Sequence, residues 1–531
     1  MINNNSKEVK NNPSAQKTDE AEYLFEYNNL ITLAAIELGN KLAAMASPTL
    51  SKQEAVTQLY ENCINPKSWL SQKCSTLKYL LLFPFILSWH GYNLVSTSRA
   101  YRVLTLPKDC VYIRSWLVPR SFILSSIRDD YFRNLLDDLK MHENVIVALQ
   151  PVGIGLKLIR KLRKNRLPDN YIVPIGLLTA TDILKCLFEY VFHGRAFLLG
   201  TYNLRGRDIR SQINFSLLHD YLKMQSFLAF QEKYIADKLV SAGIKAFIYV
   251  FESQSWEKSY CRAFEGTRIP VIGYQSSGLS KNFLNFFPCE LDRQKQLQPN
   301  FLLTVGEGFS RYLSENACYK SQIITFAALR IDHLTTQRRY SIMAPSPVLH
   351  RRILYAFSVH QSQYKKIVDT LIQLFRDTSI EVHLKFHPLH AKRKMFNKNK
   401  LPSNFLVVEE VDNPTLSATY DLVIFNDNSY GIESLIYGVK CFEFDLFEQG
   451  LDERLIYFDA WRYRIDAMGI RDLRDSIEAG DIDKMFNPIA VSDYINYLYS
   501  PYVGDLSVIL FAVNSQSEAP PINSLPRVTY N

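Results

Sequence analysis

The chain has 531 residues, carries a formal net charge of +8 (61 Lys and Arg against 53 Asp and Glu), and is 47% apolar. It is too long for one ordinary domain and apolar enough to bury sizeable cores, so two large domains are expected. The small charge excess, with no basic tract interleaved with aromatics, argues against a nucleic-acid groove, and eight cysteines without a CxxC pair or Cys/His ligand spacing argue against a zinc site or disulfide framework.

Residues 1–19 are polar and rich in Asn, Lys and Ser, without the apolar segment of a secretory leader; they read as a disordered lead-in to a cytoplasmic protein. From Glu20 to Trp116 the pattern is mostly helical, with long apolar periodicity over Glu22 to Met45. The most apolar run, Tyr79 to Trp89, contains Pro84 and is shorter than the roughly 20 residues that span a bilayer, so it is a core or interfacial element. Val145 to Leu149 reads as a buried strand, followed by Gly153 and Gly155 and then a basic helix over Gly155 to Arg166. In that helix Leu156, Ile159 and Leu162 share a stripe opposite the charges. Such a helix is either an ordinary solvated surface helix or one that lies on the anionic inner face of the cytoplasmic membrane. Ala196 to Leu199 and Lys245 to Phe251 are further strand candidates with a long helical pattern from Phe215 to Gly243 between them; Pro270 to Gln275 and Phe301 to Gly306 follow. Short apolar strands alternating with helices predict a parallel sheet.

The segment from Thr335 to Arg352 holds two prolines and no steady period, which marks a linker at 336–350 between a first domain at 20–335 and a second at 351–515. The second opens with a strand at Arg352 to Ser358. A helix follows whose Tyr364, Ile367, Val368, Leu371, Ile372 and Phe375 make one apolar face, and then strands at Val382, Phe405, Leu422 and Cys441. Residues 516–531 read as a loose tail.

Two strand ends stand out. Val382, Leu384 and Phe386 alternate with His383, Lys385 and His387 until Pro388 stops the strand, leaving a cation and an imidazole at the carboxyl end of the sheet. Asp421 to Phe425 runs into a polar turn in which Asn428 or Ser429 can cap a helix while exposing backbone N–H groups to an anion. An open α/β sheet holds a nucleotide phosphate with such parts. A third strand end, Phe251-Glu252, offers a carboxylate that is either a base or a helix cap. Trp256 beside it offers a surface for a sugar or for core packing, and Glu257 reads as a surface charge.

The Lys385-x-His387-Pro388 segment and the Asn/Ser-rich turn with Glu433 resemble GT-B glycosyltransferases of bacterial capsule and lipopolysaccharide synthesis, closest to those using CMP-activated acidic sugars such as Kdo and sialic acid. CDP-glycerol phosphotransferases are a more distant likeness. The resemblance implies an α/β GT-B fold: two Rossmann-like domains with parallel sheets facing a cleft, here with a helical N-terminal extension. It implies that His387, Pro388 and Ser429, with Asn428 and Glu433, contact the donor nucleotide, and the strand alternation adds the Lys385 charge on the same side. Glu252, Trp256 and Glu257 match the family's Glu-x-x-x-Trp-Glu pattern. Gln275-Ser276-Ser277-Gly278 stands where relatives have Gln-His-Gly, so the histidine is missing from that substrate-side loop. Arg330 falls in a Gly-x-x-Arg-x-Asp pattern with Ala327 in the glycine's place, and it either reaches a phosphate or holds the lobes together.

The implied activity is transfer of a sugar, Kdo or another acidic one, from a CMP donor to a surface polysaccharide or lipid-linked glycan. No Asp-x-Asp lies beside the donor site, so no metal and no cofactor beyond the donor substrate are expected. A CDP-alditol phosphotransferase of teichoic-acid type and a non-catalytic GT-B scaffold are the alternatives.

Overall fold

The computed structural model describes residues 13–39, 41–52, 66–118, 121–123, 126–151, 162, 165, 167–276, 278–279, 284–294, 297–331, 351–358, 364–387, 401–408, 411, 416–426, 428–444, 464–465, 469–482 and 488–515. The lead-in up to residue 12, most of the basic helix at Gly155 to Arg166, the linker 336–350, Ser277, Pro388 and the tail 516–531 lie outside them.

Two long helices among the described residues precede the first sheet, α1 (Pro13–Glu37) and α2 (Pro66–Ala100), with a five-residue helical turn at Leu42–Ala46 between them. Helix α1 begins inside the stretch read as a disordered lead-in. The first sheet has seven parallel strands: β1 (Val111–Leu117), β2 (Val145–Pro151), β3 (Tyr171–Ile172), β4 (Ala246–Phe251), β5 (Val271–Gln275), β6 (Phe301–Thr304) and β7 (Gln322–Thr325). Their spatial order is 7-6-5-4-1-2-3, with Val111 opposite Val145 on one side and Ala246 on the other. Helices α3 (Ala180–His193), α4 (Arg210–Leu222), α5 (Phe227–Ala242) and α6 (Glu257–Phe264) lie between these strands in sequence. Both faces of a parallel sheet are covered, so its strands are continuous apolar runs rather than alternating ones; all six residues of β4 are buried.

Strand β1 corrects the helical reading of Glu20 to Trp116: its seven residues are all buried in mid-sheet although Arg114 and Ser115 interrupt the apolar run. The guanidinium is tolerated because Glu232 of α5 pairs with it at 2.8 Å, both side chains being fully buried. The segment Ala196 to Leu199 is not a strand. The Asn214 side chain serves its backbone instead, accepting from Leu198 N at 2.8 Å and donating to Leu198 O at 3.0 Å. The single long helix expected over Phe215 to Gly243 is broken between α4 and α5, where Met224 has φ 57°.

The second sheet has six parallel strands: β8 (Arg352–Ala356), β9 (Glu381–Lys385), β10 (Phe405–Val408), β11 (Leu422–Phe425), β12 (Lys440–Phe444) and β13 (Arg464–Ile465), in the order 10-9-8-11-12-13. Helix α7 (Tyr364–Phe375) buries the predicted apolar face through Tyr364, Ile367, Val368, Leu371 and Phe375. Helix α8 (Ser429–Ile436) follows β11 directly and packs so closely on it that a Cβ at Gly431 would sit 2.0 Å from the Phe425 ring.

The chain then returns to the first lobe. Helices α9 (Pro488–Leu498) and α10 (Ser507–Asn514), assigned by sequence to the second domain, lie against the first sheet: Ser500 N donates to Val305 O and Ala328 N to Ser500 O, both at 2.8 Å. Gly306 is needed there, since a Cβ on it would be 2.0 Å from Leu498 O. One apolar core runs from the first sheet through α9 and α10 into α8 and the faces of β8 and β11, while the other face of the second sheet has a core of its own.

Candidate active site

In both sheets successive strands run outward from a first strand in opposite directions, so each has one point where two neighbouring strands send their connections to opposite faces. Crevices form there, beyond the carboxyl ends of the strands. In the first sheet that point lies between β1 and β4 and presents Val118 and Glu252; in the second it lies between β8 and β11 and presents Ser358, Asn426 and Asn428.

Glu252 is held by its neighbours. Its N–H donates to Glu257 Oε1 at 2.9 Å and its carbonyl accepts from Asn285 Nδ2 at 2.7 Å. Ser253 has φ 53°, a left-handed conformation uncommon for a residue with a side chain, and it turns the loop sharply after β4. Trp256 Nε1 donates to Gln254 Oε1 at 2.7 Å, which aims the amide nitrogen of Gln254 at Glu252 Oε2, to which it donates. Burial raises the Glu252 carboxyl above its ordinary value, and the positive charges of Arg114 and Arg330 act against that rise. A carboxylate made more basic and fixed in orientation is better equipped to take a proton than an exposed one.

Arg330 joins this half to the other. It lies in the turn that Ile331 N closes by donating to Ala328 O at 3.0 Å, which Tyr274 anchors: the Tyr274 hydroxyl donates to Ala327 O at 2.9 Å and accepts from Leu329 N at 3.0 Å. The guanidinium lies over the Tyr131 ring, 6.0 Å from its centroid, and pairs with Glu433 of α8 at 3.6 Å. One turn earlier on α8, Tyr430 lies under Lys385, whose Nζ is 4.2 Å from the ring centroid. Residues three apart share a helix face, so α8 touches Lys385 with one residue and Arg330 with the other. The end of β9 and the start of α8 are therefore brought together. His387 is half-buried at that strand end, where its backbone hydrogen-bonds the Tyr364 hydroxyl, which itself donates to Ser358 O at 2.5 Å. Asn428 is the helix cap: its Oδ1 accepts from Gly431 N at 3.1 Å and its Nδ2 donates to Ala356 O at 2.9 Å, tying α8 to the end of β8. Those bonds employ both ends of the amide in structure rather than toward a ligand.

Other sequence candidates sit elsewhere. Trp256 is 1% exposed and its ring is covered by the Arg114 guanidinium at 3.4 Å, so it is a core residue that positions Gln254, not a sugar platform. Gln275 is fully buried at the end of β5, accepting from Val305 N at 3.4 Å, and does not face a substrate. Ser276 is half-buried with a hydroxyl that has no hydrogen-bond partner among the described residues, and Gly278 is half-buried beyond it. Glu257, read as a surface charge, is 2% exposed; burial pushes its carboxyl up to about 8.

Sequence reasoning missed Arg114, Gln254, Tyr131 and Tyr430. A lone arginine in a run of strand formers was the available signal for the first; the others depend on contacts between distant segments. Among the described residues, no group of His, Cys, Asp or Glu side chains is arranged to hold a metal ion.

No protein-family model matches this chain, and no curated protein does. Solved structures similar to it include a UDP-GlcNAc 2-epimerase from Neisseria meningitidis bound to UDP-GlcNAc, at 12% identity and TM-score 0.42 over 75% of this chain and 98% of that one. S. aureus MnaA with UDP aligns at 9% identity and TM-score 0.44 over 78% and 99%, and MurG from Acinetobacter baumannii at 10% and 0.39 over 76% and 99%. Likenesses this distant say nothing about what the present chain acts on.

Proposed function

We propose that this chain is a GT-B-type glycosyltransferase that moves Kdo or another acidic sugar from a CMP-activated donor to a surface polysaccharide or lipid-linked glycan on the cytoplasmic side of the membrane. The observation that carries this reading is the placement of α8, which meets the Lys385 ammonium through Tyr430 and, through Glu433, Arg330, whose charge reaches Glu252. A cation pair for a leaving phosphate and a basic carboxylate for an acceptor hydroxyl are thus linked by one short helix across two strand-end crevices.

In this reading Lys385, His387 and the backbone N–H groups opening α8 receive the nucleotide phosphate, and Arg330 adds charge as the bond to the anomeric carbon breaks. The acceptor oxygen bonds to that carbon, its proton passes to Glu252, and CMP leaves with the electron pair of the broken bond. In a retaining transfer the Glu252 carboxylate attacks the carbon first, and the anomer of the product distinguishes the two routes. The transfer needs no metal: activity that a chelator removes and magnesium or manganese restores would overturn that part.

The test is thermal stabilisation by CMP, CDP, UDP and GDP, followed by CMP release from CMP-Kdo, CMP-sialic acid and CDP-glycerol. Selective stabilisation by cytidine nucleotides, and sugar-donor-dependent CMP release lost in His387→Ala, are expected. Release from CDP-glycerol alone would replace the reading with a phosphotransferase. Wild-type protein that binds no nucleotide by calorimetry would make it a scaffold.

A further inference from the structure

We infer that the outer face of α2 and α3 is a docking surface for an anionic lipid bilayer, on observations independent of the transferase reading. Helix α2 exposes Leu77, Leu81, Phe85, Trp89 and Tyr92, each between 42 and 76% accessible, while Asn93, Leu94, Thr97 and Ser98 face inward. Their spacing of four, four, four and three residues puts them on one side of a helix. Helix α3 lies alongside, with the Leu187 methyl 3.0 Å from where a Cβ on Gly91 would stand, and exposes Leu184, Phe188 and Phe192 in the same way. Tyr92, Phe188 and Phe192 line a shared groove between the helices. Contiguous exposed apolar surface of this kind marks an interaction site.

Charge selects the partner. From Asn62 to Lys108 the sequence carries Lys67, Lys73, Lys78, Arg99, Arg102 and Lys108 and not one Asp or Glu. Lys78, Phe85, Tyr92 and Arg99 recur at seven-residue intervals, so the apolar line along α2 ends in an exposed cation at each end, roughly 30 Å apart. Lys78, Arg99, Arg102 and Lys108 are in no ion pair with the described residues. An apolar stripe rich in Trp, Tyr and Phe and framed by basic residues suits the boundary between acyl chains and acidic headgroups. A second copy of the chain suits it poorly, because a two-fold contact lays the same patch on itself and brings like charges together. The helix lies on the bilayer and does not cross it, since no helix among the described residues is long and apolar enough to span a membrane.

The test uses the full chain with phosphatidylcholine vesicles, with and without phosphatidylglycerol. Wild-type protein is expected to co-sediment with the anionic vesicles and to remain in the supernatant with the neutral ones. The triple variant Leu81→Ser, Phe85→Ser, Phe188→Ser is expected to lose at least about a hundredfold in partitioning, and Lys78→Glu, Arg99→Glu, Arg102→Glu a similar factor. Because all six side chains are exposed, both variants are expected to melt like wild type, which separates loss of docking from loss of fold. Wild-type protein left in solution by anionic vesicles, or a serine variant that partitions like wild type, would overturn the inference. So would a wild-type dimer in light scattering that the serine variant breaks without any vesicle binding.

Discussion

The two sheets share a strand order and differ in what they bury. The first lobe places an arginine in its central strand, neutralised by Glu232 and covered by Trp256, and sets a second acid, Glu257, beneath Glu252. The second lobe keeps β11 wholly apolar and displays its polar groups at strand ends, as Lys385 and the Asn428 cap. Buried charge tunes a neighbouring carboxylate in the first lobe, whereas the second lobe sets a lysine over Tyr430 at a strand end beside a helix start. In the proposed reading, the same topology serves a proton-handling half and an anion-receiving half.

This contrast breaks most visibly at Glu252. Glu252→Gln keeps the hydrogen bond from Gln254 but cannot take a proton, so donor-dependent CMP release is expected to fall by about 10²–10⁴-fold while the melting temperature holds; unchanged turnover would remove the first lobe from the chemistry. In Arg114→Ala the Glu232 carboxylate is left buried and unpaired, which is expected to destabilise the protein by about 3–5 kcal/mol in denaturant titration. A loss under about 1 kcal/mol there would show that the two lobes do not differ as described.

Lys385→Ala is the counterpart in the second lobe: cytidine-nucleotide affinity is expected to drop about ten- to hundredfold in calorimetry, with stability nearly unchanged. Asn428→Ala removes both the cap of α8 and its tie to Ala356 O at the end of β8, and is expected to cost about 1–2 kcal/mol, read by chemical denaturation.

The contrast also shows in pH. Burial raises the folded-state value of Glu257 to about 8 from an ordinary 4.5, so the folded protein binds the proton more tightly than the unfolded chain. Stability therefore declines as pH rises from about 4.5 to about 8 and levels off above. Glu257→Gln is expected to flatten that part of the denaturation midpoint curve; an identical slope in both proteins would contradict the buried acid.

Much of the second sheet was legible because β10 and β11 are apolar runs, β9 alternates with period two, and α7 carries an unmistakable 3.6-residue face. The first was harder. Arg114 made a central strand look unlike one, because the ion pair that permits it comes from a helix more than a hundred residues away. Ala196 to Leu199 looked like a strand because four apolar residues say nothing about who satisfies their backbone, and here Asn214 does. Within the candidate site, a polar residue after an apolar run marked Glu252 and the alternation of β9 marked Lys385 as candidates. The Arg330–Glu433 pair and the Trp256–Gln254 relay are tertiary facts with no local pattern, and an indole that serves a core reads the same in sequence as one that serves a sugar.

The homeward path of the polypeptide has its own consequence. Because Ser500 is stitched to both Val305 and Ala328, and Leu498 presses on Gly306, a fragment cut between the two lobes would lack part of the first lobe's outer wall. Attempts to produce the halves separately should therefore carry residues 488–515 with the amino-terminal piece, or supply them as a complementing peptide.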